Sequence, residues 1–102
     1  MNTSVNNYDA IEQLIFDENI KIEAVDIHQS QGLLLLILNT KVVLRFDLAS
    51  FPLLKNANAT ALNNYTIIAQ GTGIHWPDLD EDLSLKGFLQ HELKRAVNNV
   101  AA

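Results

Sequence analysis

Asp78, Asp80 and Asp82 occupy alternate positions, the spacing of the first three ligands in a calcium loop of the EF-hand type. Such a loop also needs a glycine at its sixth position and a bidentate glutamate at its twelfth. Those positions hold Leu83 and Leu89, so the EF-hand assignment fails. A looser Ca²⁺ or Mg²⁺ site stays open, but a better use for these carboxylates is at the start of the last helix, where free backbone amides and the helix dipole favour negative charge. The pair His91-Glu92 invites comparison with the zinc-protease helix, but the residue four after His91 is Arg95, not a second histidine. His28, His75 and His91 are not spaced as a local metal cluster. Gly71-Thr72-Gly73 lacks the length and lysine of a phosphate-binding loop and is expected to be a turn.

His75 and Trp76 carry more weight. Trp76 is the single tryptophan, and the Pro77 that follows holds its backbone near extended geometry. Two roles are open to it. It can close the core against a helix bearing Phe88, with its indole N–H on a carbonyl. Alternatively it is an exposed anchor for a partner protein, as aromatics dominate interface hot spots. His75 alternates to the opposite face and could serve as an acid–base group, but no nucleophile or metal set accompanies it. No catalytic residue, metal or cofactor is therefore assigned, and the protein is expected not to be an enzyme. The candidate partner-binding set is His75, Trp76, Asp78, Asp80, Glu81 and Asp82.

These residues need a scaffold, and the chain supplies enough for one domain over residues 1–102. Hydrophobic residues make up 48% and charged residues 19%, which is globular composition. Seven basic and twelve acidic residues give a net charge of −5. A surface of that sign repels phosphate backbones and anionic membranes, so nucleic acid is not an expected partner for the chain by itself. Cysteine is absent, which removes disulfides and thiolate chemistry and fits a reducing compartment. The first residues have no secretory pattern, and the apolar run Leu33 to Leu38 is far short of the roughly 20 residues that span a bilayer. A cytoplasmic location is expected.

Spacing predicts the elements. Residues 1–6 are expected to be flexible. Asn6 and Asn7 can cap a helix from about Tyr8 to Phe16 with Tyr8, Ile11, Leu14 and Ile15 on one face. Ile20 to His28 alternates as a strand. Leu33 to Leu38 is a continuous apolar run, the signature of a central strand covered on both faces. At a sheet edge it would instead invite pairing with another chain and a homodimer. Val42 to Leu48 places Leu44, Phe46 and Leu48 on one face and Val43, Arg45 and Asp47 on the other. These three strands form an antiparallel meander. Ala49 to Asn63, with Pro52 and several asparagines, is expected to be loop. A second hairpin runs from Tyr65 to Trp76 with its turn at Gly71-Thr72-Gly73. A final helix, capped by Ser84 or Asp82, carries Leu85, Phe88, Leu89, Leu93, Ala96, Val97 and Val100 on one face. The predicted fold class is α+β: an antiparallel β-meander plus a second hairpin, with an N-terminal and a C-terminal helix.

The run from Gly71 to Ser84 resembles the C-terminal signature of the bacterial family known as domain of unknown function 2442. That family shows a strand ending in a Trp-Pro pair, then an acidic stretch and a final helix. It also shows a meander closing on an Asp-Leu pair, here Phe46-Asp47-Leu48. The order of elements agrees over about Ile20 to Leu89. Where family members often have an Asp-Gly turn, this chain reads Asn39-Thr40-Lys41. Some relatives carry an added helix-turn-helix module, for which this chain has neither the length nor a basic helix. The resemblance implies a small binding or regulatory protein, antitoxin-like in its sharpest form, that sequesters a small partner protein. The alternative is a self-associating structural module, a homodimer without a dedicated partner.

Overall fold

A computed structural model of the chain describes residues 9–101, and the side chains of residues 9–98. Asp9 opens the first helix, α1 (Ala10–Asp17), with a reciprocal cap. Its carboxylate accepts the Glu12 amide at 2.9 Å, and the Glu12 carboxylate accepts the Asp9 amide at 3.4 Å. This satisfies two of the amides that a helix start leaves without partners. The expected caps Asn6 and Asn7, together with Tyr8 and the segment 1–6, lie outside the described residues. Ile15 packs against the core, whereas Leu14, expected on the same face, is exposed beside Phe16.

Three strands follow, β1 (Ile22–His28), β2 (Leu33–Leu38) and β3 (Val43–Asp47), in the antiparallel order β1-β2-β3. Leu34 faces Phe46 and Leu36 faces Leu44 across the inner side. A bulge at Glu23, between Ile22 and Ala24, shifts the alternation of β1 by one residue. Ile22, Val25 and Ile27 thereby share the inner side with Leu34, Leu36 and Leu38. β2 is central, as its composition demands, but it is covered on one face only. Leu33, Leu35 and Ile37 alternate to the outer side and remain partly exposed.

Residues expected to form a loop fold instead into two short helices, α2 (Pro52–Lys55) and α3 (Ala59–Asn63). Pro52 stands in the first turn of α2, where its missing amide costs nothing. Asn58 caps α3 by accepting the Ala61 amide at 2.8 Å. The two helices bury Leu54 and Leu62.

The second sheet holds β4 (Thr66–Ile68), β5 (Gly73–Trp76) and β6 (Glu81–Ser84) in the order β4-β5-β6. The expected hairpin is present, with its turn at Ala69–Gly71 rather than Gly71-Thr72-Gly73. β6 is an addition. The acidic run does not sit at the start of the last helix: Asp78 lies in a short 3-10 turn, Pro77–Leu79, and Asp80 adopts a left-handed conformation, φ 49°, and returns the chain alongside β5. The last helix, α4 (Leu85–Ala101), is capped by Ser84, whose hydroxyl accepts the Gly87 amide at 3.0 Å. Leu85 and Phe88 are buried, but Leu93, Ala96 and Val97, expected to continue the buried face, are exposed. The side chain of Val100 lies outside the described residues.

The core joins both sheets. Ile22, Leu34, Leu36, Leu38, Phe46 and Leu48 from the first meet Ile74 and Trp76 from the second, closed by Leu54, Leu62, Leu85 and Phe88. Fully burying each such side chain stabilises the fold by roughly 1.5–3 kcal/mol. Phe46 and Phe88 lie 5.0 Å apart between ring centres, with Phe51 at 6.2 and 5.5 Å from them. The class is α+β, as expected. Among the described residues no helix is long and apolar enough to cross a membrane.

Candidate functional site

The six candidate residues from the sequence are not brought to one surface. Trp76 is fully buried, and its indole N–H donates to the Leu62 carbonyl at 2.9 Å. This decides between its two readings: it closes the core and is withdrawn from the partner-binding set. Glu81, opposite Trp76 in the ladder, shares its face and is half-buried. Asp78 accepts a hydrogen bond from the Asn64 side-chain Nδ2–H at 3.1 Å, and Asp80 stands exposed at the turn. His75 and Asp82 remain together. They are directly opposed across β5 and β6 on the outer face of the second sheet, with the His75 Nδ1–H on the Asp82 carboxylate at 2.5 Å. Thr66 of β4 is the ladder partner of His75 on its other side. A carboxylate-anchored imidazole is one half of an acid–base set, but here it stands on an open sheet face. Among the described residues no three histidine, aspartate or glutamate side chains are grouped so as to hold a metal ion.

A groove of about 520 Å³ opens at the other end of that sheet. Ile15, Phe16 and Ile20 give it apolar surface. Glu12, Asn19, Lys21, Gln70, Thr72, Ser84 and Lys86 give it polar groups. The volume falls in the range of ligand-binding clefts. Its wall is a tight turn in which Ala69, Gln70 and Gly71 have φ of 53°, 55° and 90° in succession. A left-handed conformation costs a residue with a side chain roughly 1–2 kcal/mol, and such strain is held only where surrounding contacts impose it. Three contacts do so. The Lys21 ammonium donates to the Gln70 carbonyl at 3.0 Å, the Thr72 hydroxyl to the Ala69 carbonyl at 2.7 Å, and the Leu85 amide to the Thr72 carbonyl at 2.8 Å.

Charge pins the opposite wall. The Lys86 ammonium lies 3.0 Å from Asp9 and 3.5 Å from Glu12, tying the start of α4 to the start of α1. The Asp9 carboxyl is held below its ordinary range, first by the Glu12 amide it accepts and then by Lys86. Lys86 is held above its ordinary range, chiefly by its hydrogen bond to Asp9. The lowered acid contributes stability that is present above its unfolded pKa, near pH 4, and is lost as pH falls through the folded value. The raised lysine contributes stability that is present below about pH 10.4 and is lost as pH rises through its folded value. Asp9→Asn keeps a cap acceptor and removes the charge. The wild type is expected to melt higher than this variant at neutral pH, with the gap closing below about pH 4. Thermal melts of both proteins over that range check it.

The groove escapes sequence inspection because its residues come from three distant segments, residues 12–21, 69–72 and 84–86. The one local signal is Ala69-Gln70 at a turn that favours Asn-Gly.

The family model described as "Protein of unknown function (DUF2442)" matches residues 22–93. Two solved structures resemble the chain. A crystal structure of a protein of unknown function from Rhodospirillum rubrum shares 26% identity, with 71% of this chain and 87% of that chain covered and a TM-score of 0.63. A solution NMR structure of an uncharacterized protein from Chromobacterium violaceum shares 26% identity, with 88% and 85% covered and a TM-score of 0.64. No curated protein matches the chain.

Proposed function

The chain belongs to the DUF2442 family, and from its surface we propose that it is a non-enzymatic protein-binding module that sequesters a small, basic partner protein. The carrying observation is that the groove lies next to the sheet face that carries Asp82. Ser84 lines the groove, and Asp82, two residues before it on β6, points to the same side with His75. An apolar socket beside a carboxylate suits a partner that offers one apolar side chain and a neighbouring lysine or arginine. Phe16, 77% exposed at the groove, is the natural apolar contact. The net charge of −5 would draw a basic partner and speed its association. In its sharpest form the role is antitoxin-like, exercised in the cytoplasm without nucleic-acid binding by the chain itself. The cysteine-free, acidic composition supports that setting.

The test is a tagged pull-down from the native host through a salt wash, followed by titration of any retained protein against two variants. Phe16→Ser and Asp82→Lys are each expected to weaken the partner about tenfold, the equivalent of about 1.4 kcal/mol. The absence of a stoichiometric partner, or a partner indifferent to both variants, would overturn the reading.

A further inference from the structure

β2 is apolar at all six positions, Leu33 to Leu38, the composition of a strand covered on both faces. In the folded chain only Leu34, Leu36 and Leu38 are covered, and Leu33, Leu35 and Ile37 pack against nothing in the core. The ladder arranges the outer face of this first sheet in three rows. They read Ala24–Ile37–Val43, Asp26–Leu35–Arg45 and His28–Leu33–Asp47 from β1 to β3. Each row has an aliphatic centre. In the second row an acid on the β1 side balances a base on the β3 side, and in the third the order is reversed.

From this pattern we infer that the outer face of the first sheet is covered by the same face of a second copy of this chain, related by a two-fold axis running along β2. Rotation about that axis lays the β1 side of one copy over the β3 side of the other. Asp26 then meets Arg45 of the second copy, His28 meets Asp47, Ala24 meets Val43, and each central aliphatic residue meets its own counterpart. Both members of every contact recur, which is the signature of an isologous interface. A two-fold axis across the strands through the second row would instead set Asp26 on Asp26 and Arg45 on Arg45, and one between the second and third rows would set Leu35 on Leu33; only the axis along β2 pairs opposite charges while it stacks each central aliphatic residue on its own counterpart. Asp26 and His28 already pair with each other along β1 at 3.0 Å, whereas among the described residues neither Arg45 nor Asp47 has an ion-pair partner within the chain, so the second copy extends the existing pair into a four-membered set. Face-to-face sheets pack about 10 Å apart, which accommodates the leucine layer. Three strands ~4.8 Å apart with ~3.3 Å rise per residue make a small interface, so the association is weak and reversible. This face is not the groove, so dimerisation and partner binding stand or fall separately.

Sedimentation velocity over a concentration series reaching the millimolar range tests the inference, with circular dichroism confirming that each variant folds. Wild type is expected to move from monomer toward twice the mass, and Leu35→Glu to stay monomeric throughout. Arg45→Asp is expected to weaken association about tenfold. The double swap Asp26→Arg with Arg45→Asp is expected to restore it, since the swapped face is again self-complementary. A monomeric wild type, a Leu35→Glu variant that still dimerises, or a double swap no tighter than Arg45→Asp would each overturn it.

Discussion

Trp76→Ala is expected to cost about 3–5 kcal/mol of stability, close to the whole margin of a small domain. The indole is fully buried in the core cluster that also holds Leu62, Ile74 and Phe88, with the Tyr65 ring centre 6.2 Å away. Truncation removes the largest side chain of the core and leaves a cavity that two sheets and a helix cannot all collapse into. It also strips the Leu62 carbonyl of its donor, and an unpaired buried acceptor adds about 1–3 kcal/mol within that total. Trp76→Phe separates the two costs. It refills most of the volume but restores no donor, so it is expected to lose roughly half as much. Equilibrium urea unfolding measures both. Far-UV circular dichroism must be the probe, because Trp76 is the only tryptophan and its fluorescence leaves with it. An unchanged midpoint for Trp76→Ala would mean that the indole stands at the surface after all.

The elements legible in the sequence are those in which local pattern and tertiary burial agree. Leu44, Phe46 and Leu48 alternate with Val43, Arg45 and Asp47, and the structure divides them between inner and outer faces as that alternation requires. Ser84 precedes an apolar periodic run and caps α4. The family match over residues 22–93 falls on the segment where the resemblance was read. The failures come where long-range contacts outweigh local preference or where an element is too short to carry a pattern. Glu81 to Ser84 has poor strand propensity, yet it forms β6 because Asp80 tolerates a left-handed turn and β5 offers an open edge. The helices over Pro52–Lys55 and Ala59–Asn63 are too short for periodicity to show, so only Pro52 and Asn58 marked their starts. The outer half of β2 reads as buried because six apolar residues in succession leave no alternation to mark which face the fold covers. The acid–histidine pair joins positions seven apart across a ladder, and the groove joins three segments. Neither leaves a local spacing to detect.

Gly71→Ala and Gly32→Ala are expected to differ by about 1–3 kcal/mol, although both place a side chain on a left-handed backbone. Gly32 has φ 69°, and an added Cβ there meets nothing within 4 Å. Its replacement carries the conformational cost alone, roughly 1–2 kcal/mol. Gly71 has φ 90°, and its Cβ would stand 2.8 Å from Lys21 Cβ and 3.4 Å from the Ile22 carbonyl. Lys21 cannot swing clear at its Cβ, since that atom is fixed by the backbone of the residue that leads into β1. Relief requires β1 and the turn to separate, yet Ile22 is buried in the core and the Lys21 ammonium is bonded to Gln70. Overpacking of this kind adds about 1–3 kcal/mol, for a total of roughly 2–5. Urea midpoints of the two variants, compared at equal slope, isolate the steric part. Equal losses would show that β1 and the turn do not make this close approach in solution. The two walls of the groove would then lack the contact that sets their spacing, and a partner seated there would have to order the turn at its own cost in binding.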